Sequence, residues 1–147
     1  MKSTIPSVLD ALVSRWTALL DGVQVVDGEP ITTEKDAVCV GFTGDGGEPG
    51  VENSRSLEQL DLIPDREQYD VYCAVQVRRG ATDMKKVRDR AYAIIDSLSS
   101  DLAADQTLDG VAGMARLTSE SLMQEQTEKG AMATVRFSVH IDAFTTE

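Results

Sequence analysis

Between Ala131 and Ala143 every second residue is apolar: Ala131, Ala133, Val135, Phe137, Val139, Ile141 and Ala143. Side chains of a β-strand point alternately to its two faces, so this row stands opposite a polar one, Thr134, Arg136, Ser138, His140 and Asp142. A helix would scatter both rows around its circumference. The run therefore predicts a long strand over Ala131–Phe144 with one buried face, and the rest of the chain has to supply partners and a cover for it.

A second run of the same kind lies between Tyr69 and Arg78, with Tyr69, Val71, Cys73, Val75 and Val77 on one face. Val111 to Met123 alternates less regularly, with Gly113 weakening it, and Glu128-Lys-Gly130 is a hairpin turn joining it to the last strand. Val23–Asp27 and Ala37–Phe42 read as two short strands. Two segments have helical spacing instead. Ile5, Leu9, Leu12, Val13, Trp16, Leu19 and Leu20 form a stripe over Ser3–Leu20, with Thr4 as N-cap, Pro6 in the first turn and Gly22 as terminator. Met84, Val87, Ala91, Ile94, Ile95, Leu98 and Leu102 form another, starting from a cap at Thr82 or Asp83 and ending near Ala104; its opposite side carries Lys85, Arg88, Asp89 and Asp96.

The strands are grouped rather than alternating strictly with helices. The expected fold class is α+β: a mostly antiparallel sheet with two helices packed on one face. One domain over residues 1–147 accommodates every element, and a core of ordinary size is within reach of this length. A long mobile loop is expected over about 43–65. It opens with Thr43-Gly-Asp-Gly-Gly-Glu-Pro-Gly50, which lacks the lysine of a phosphate-binding loop and the ligand spacing of a calcium loop, although Asp45 and Glu48 are acidic. Leu57, Leu60, Leu62 and Ile63 then place four apolar residues in a polar setting. Either they dock on the domain's own core or they seat on a neighbouring subunit.

Charge narrows the function. The formal net charge is −11, from 25 acidic and 14 basic residues, so no basic surface is available to grip nucleic acid. Arg78–Arg79 and Lys85–Lys86 are interrupted by Asp83 and Asp89. No apolar run approaches the ~20 residues of a membrane span, and no secretory leader is recognisable, so a soluble cytoplasmic chain is expected. Cys39 and Cys73 sit in apolar alternating stretches and read as reduced core thiols.

Catalytic constellations are missing from the pattern. His140 is the single histidine; Ser138 and Asp142 share its row, but three polar residues two apart on one strand describe an ordinary polar face. With one imidazole and two separated cysteines, no metal set is expected, and no cofactor fingerprint occurs. Catalytic, metal and cofactor residues are accordingly expected to be absent, which leaves binding or assembly.

The order of segments from about residue 66 to 144 adds a likeness. The strand from Gln68 to Val75 is followed by Arg79-Gly-Ala-Thr-Asp-Met84 and a helix bearing Arg88, Ala91 and Ile95. Asp105-Gln-Thr-Leu-Asp-Gly-Val111, the turn Gln126-Thr-Glu-Lys-Gly-Ala131 and the strand Ala133–Ile141 complete the series. This arrangement resembles the tail terminators and related head–tail connection proteins of siphophages, especially those of actinobacterial hosts. The resemblance implies a virion protein of the tail–neck region, assembled in the host cytoplasm as a ring, usually hexameric. Such a ring caps the tail tube, ends its polymerisation and meets the head-completion connector, while DNA passes through without specific binding. Leu57, Leu60, Leu62 and Ile63 are then the expected subunit interface. A different neck protein, for head closure or as a minor tail component, and a host-directed regulatory domain are the competing expectations.

Overall fold

The structure, a computed structural model, describes residues 2–30, 36–56, 65–80 and 83–146. Its elements are α1 (Ile5–Leu19), β1 (Gln24–Asp27), β2 (Ala37–Val40), β3 (Val51–Ser56), β4 (Arg66–Arg79), α2 (Met84–Ala104), β5 (Met114–Thr127) and β6 (Gly130–Phe144). The expected α+β class holds: six strands form one sheet, in the order β1-β2-β4-β6-β5 with β3 also on β4, and all pairs but β1–β2 are antiparallel.

β4 and β6 are the spine. They pair along their length, from Arg66↔Phe144 to Arg79↔Ala131, so the two apolar rows lie side by side. Tyr69, Val71, Cys73, Val75 and Val77 of β4 join Ala133, Val135, Phe137, Val139 and Ile141 of β6 in one buried cluster, closed by Val8, Leu12 and Trp16 of α1 and Val87, Ala91, Ile94, Ile95, Leu98 and Leu102 of α2. Both helices therefore cover the same face. α2 packs on β4, β5 and β6, α1 on β1 and β2, and Trp16 reaches over to Phe137, with ring centroids 6.1 Å apart. Asp83 caps α2 as the pattern predicts, its side chain accepting from the Lys86 N–H.

Several details differ from the sequence reading. Leu19 is 44% exposed, whereas Val8, outside the predicted stripe, is fully buried. The Thr4 hydroxyl makes no cap bond; it points into the sheet, 3.0 Å from a Glu67 carboxylate oxygen and 2.8 Å from the Tyr69 hydroxyl. Val51–Ser56, placed in the long loop by the sequence, form strand β3, paired with the first half of β4. Their side chains are polar on both faces apart from Val51, so the strand is specified by its partner and not by an apolar row of its own. β2 and β3 occupy the same edge of β4 in succession. The chain leaves that edge after Gly41 and returns at Gly50, whose backbone approaches the Gly41 carbonyl so closely that a Cβ would collide with it.

Three successive residues, Leu108, Asp109 and Gly110, have positive φ after α2. The Asp105 carboxylate holds this turn by accepting from the Thr107 and Asp109 N–H groups and the Thr107 hydroxyl. Arg15 of α1 meets Asp101, Asp105 and Asp109, tying the first helix to the end of the second and to the turn.

Cys39 and Cys73 are both free and buried. Cys39 stands opposite Ala74 and Val40 opposite Cys73, so the two thiols lie on adjacent strands but point to opposite faces, a geometry that excludes a disulfide. Burial, with the Glu29 charge, pushes the Cys39 thiol up to about 11, and burial pushes that of Cys73 up to about 12. The native protein at pH 8 is expected to give no reaction with an aromatic disulfide reagent, and two equivalents of thiol once unfolded. Rapid titration of either thiol without denaturant would contradict the packing.

Candidate functional site

The four residues expected at a subunit interface, Leu57, Leu60, Leu62 and Ile63, lie outside the described residues. The residues that can be placed are those on the sheet face away from the helices and on its two outer edges.

On that face the row Thr134, Arg136, Ser138, His140, Asp142 is not the open polar surface its sequence suggests. Thr134 and Ser138 are 5% and 4% exposed. Ser138 shares its hydroxyl with Thr118 and Ser119 of β5, and Asp142 is held by Arg66. His140 bonds through Nδ1 to Asp70, directly across on β4, at 2.9 Å. Ser138, His140 and Asp142 thus each have a separate partner and do not form a relay. Arg66 holds the Asp142 carboxyl below the usual carboxylate range.

The excursion between Gly41 and Gly50 crosses this face beside Arg136. Thr43 in it is buried, and its hydroxyl accepts from the Asp45 N–H, while the Asp45 carboxylate accepts from the Gly47 N–H. Together with the sheet it encloses an open cavity of about 500 Å³ lined by Thr43, Glu48, Glu52, Tyr72, Ser119, Ser121 and Arg136, among others. Tyr72 donates to Glu52 at 3.3 Å, and partial burial with the Glu52 charge raises the pKa of its phenol. Arg136 sits centrally, opposite Ala74 on β4 and Ser121 on β5. Its identity was visible in the polar row; its enclosure was not, because nothing in the local sequence tells that Gly44 folds over it.

The outer edges differ in length. β5 forms one, a strand of 14 residues that pairs, all but Thr118, with β6 on one side only among the described residues. From Thr118 to Gln126 every residue is exposed, including Leu122 at 37% and Met123 at 44%. The opposite edge is made by β1 and the exposed β3. Among the described residues no group of His, Cys, Asp and Glu side chains is arranged to hold a metal ion, and no helix is long and apolar enough to cross a membrane. Neither the protein-family models nor the curated proteins give any match to this chain.

Proposed function

We propose that this chain is a non-enzymatic tail terminator of a siphophage-like particle, acting as a ring that caps the tail tube, stops its growth and joins it to the head connector. The observation that carries the reading beyond the sequence likeness is the β5 edge. A strand of this length with one side open among the described residues, and with exposed Leu122 and Met123, is a template for another strand, and natural edges of this kind are normally shortened, broken by proline or covered. Among the described residues β5 and the β1 and β3 edge lie at opposite ends of one sheet. Joining one end to the other end of the next copy is a head-to-tail contact, which closes into a ring when the rotation per copy permits. The acidic composition fits a lumen along which DNA slides without adhering. Partners on this reading are further copies of the chain, the tail tube protein and the head-completion protein.

The test is assembly, read by sedimentation and electron microscopy of the full chain with and without tube protein. The wild type is expected to form rings and to limit tube length. Leu122→Lys with Met123→Lys, both exposed positions, should melt as the wild type does and form no rings. Leu60→Ser with Leu62→Ser tests the interface expected from the sequence in the same way. A wild type that stays monomeric with tubes present, and leaves their length unchanged, overturns the reading.

A further inference from the structure

Arg136 is conspicuous for what it lacks. Arg15, Arg55, Arg66, Arg79 and Arg90 each meet a carboxylate within 4.0 Å. Arg78, Arg88, Arg116 and Arg136 meet none among the described residues, and of these only Arg136 has a guanidinium nitrogen, Nε, that is buried with no hydrogen-bond partner. A guanidinium is always charged and carries five N–H donors, so leaving a buried donor empty is costly and calls for an acceptor. Gly44 lies beside Arg136: a Cβ there would stand 3.5 Å from Nε, at ordinary van der Waals distance. Arg136 also lines the cavity of about 500 Å³, with the hydroxyl-bearing residues Thr43, Ser119 and Ser121 around it.

We infer that this cavity is a binding site for a single carboxylate group, received by the Arg136 guanidinium and the flanking Ser121 hydroxyl. The planar fork matches a carboxylate in two parallel hydrogen bonds, and the Ser121 hydroxyl offers a further donor, whereas that of Thr43 already donates to the Asp45 carbonyl and that of Ser119 is shared with Ser138. Phosphate and nucleic acid are selected against by the rest of the lining. Glu48 and Glu52 border the same cavity, so a second negative charge on the ligand meets repulsion. A cavity of this volume exceeds an acetate and has room for the carboxylate together with the peptide that bears it. The site needs no ring and stands independently of the terminator reading.

The experiment is a titration of ¹⁵N-labelled full-length protein, following the Arg136 Nε–H resonance and the Ser119 and Ser121 amides. The probes are sodium acetate, a blocked tripeptide with a central aspartate, and inorganic phosphate, at constant ionic strength. Acetate and the peptide are expected to shift these resonances saturably; the peptide binding more tightly assigns the carboxylate to a protein partner, and equal binding assigns it to a small free acid. Arg136→Gln should weaken the response of the Ser119 and Ser121 amides by roughly tenfold or more, as expected for loss of about one charge-assisted hydrogen bond. Arg136→Lys keeps the charge and loses the fork, and should weaken it as well; this variant carries the test if the glutamine variant fails to fold. No saturable shift with either carboxylate, an undiminished response in the folded variants, or phosphate binding as well as acetate would each overturn the inference.

Discussion

Replacing Phe137 with alanine is expected to lower the free energy of unfolding by about 3–5 kcal/mol, the range for truncating a buried aromatic. Phe137 is 3% exposed and lies on the central strand β6, opposite Cys73 on β4 and Glu120 on β5. Its ring is tilted 52° to that of Trp16, the one tryptophan of the chain, which α1 buries completely. Alanine would leave a void between α1 and the sheet that neither can close without moving, and Trp16 would lose its aromatic neighbour, a pairing worth about 0.5–1.5 kcal/mol beyond its area. Phe137→Leu keeps much of the volume and should cost clearly less. Denaturant unfolding at concentrations where the chain does not associate gives the comparison, since assembly would add its own stabilisation. An unchanged midpoint for Phe137→Ala would mean that the apolar row of β6 does not face the helices.

That row is also where the sequence is most informative. Alternation with period two leaves no freedom in β4 and β6, because slipping either strand by one residue turns Val75 or Phe137 out to solvent. α2 is equally legible, since Val87, Ala91, Ile94, Leu98 and Leu102 cannot share a face at any other period. β3 could not be read in this way. Glu52, Ser54 and Arg55 carry no pattern, and the strand exists because β4 has an open edge beyond the reach of β2. The parallel pairing of β1 with β2 was likewise hidden, as four-residue strands state no direction. The irregular alternation of β5 has a structural cause: the register shifts between Leu117 and Ser119, so that Leu117 and Ser119 fall on opposite faces despite being two apart.

Of the candidate site, the sequence supplied residues but not partners. His140 and Asp142 read as members of one polar row, and their partners lie across the sheet, Asp70 for His140 and Arg66 for Asp142. Cross-strand neighbours outrank neighbours along a strand, and only the register between β4 and β6 identifies them. Arg136 was legible as a cation on the polar row. That it meets no carboxylate among the described residues was not legible, nor was its cover by Gly44, which depends on the path taken between Gly41 and Gly50, where the two glycines approach closely and no motif marks the turn. The edge character of β5 follows from strand order, which a run of residues such as Ser119–Gln126 cannot announce.

Glu67 is the second residue whose loss should be felt strongly, and the chemistry of its surroundings makes the result dependent on pH. Its side chain is fully buried beneath the start of α1. One carboxylate oxygen accepts from the Thr4 N–H at 2.8 Å and the Thr4 hydroxyl at 3.0 Å; the other accepts from Ser3 at 2.7 Å and Asn53 at 2.9 Å, with Arg55 at 3.6 Å. The N-terminal segment, β3 and β4 thus converge on one anion. Burial opposes its ionisation, but the hydrogen bonds from Thr4, Ser3 and Asn53 outweigh that, holding the carboxyl below its ordinary 4.5. Glu67→Gln preserves shape yet turns an NH₂ toward one set of donors, leaving buried groups unpaired, and should cost about 3 kcal/mol at pH 7. A carboxyl whose pKa is depressed by folding stabilises the native state above its unfolded value and ceases to do so as pH falls through its folded value. The gap between wild type and Glu67→Gln should therefore be constant from pH 7 to about 5 and narrow progressively below pH 4.5, the ordinary value of this carboxyl. Urea unfolding of both proteins between pH 7 and 3 measures it. A gap that stays the same over the whole range would mean that the ionised form of Glu67 is not what the three segments are built around, and that its contribution is packing alone.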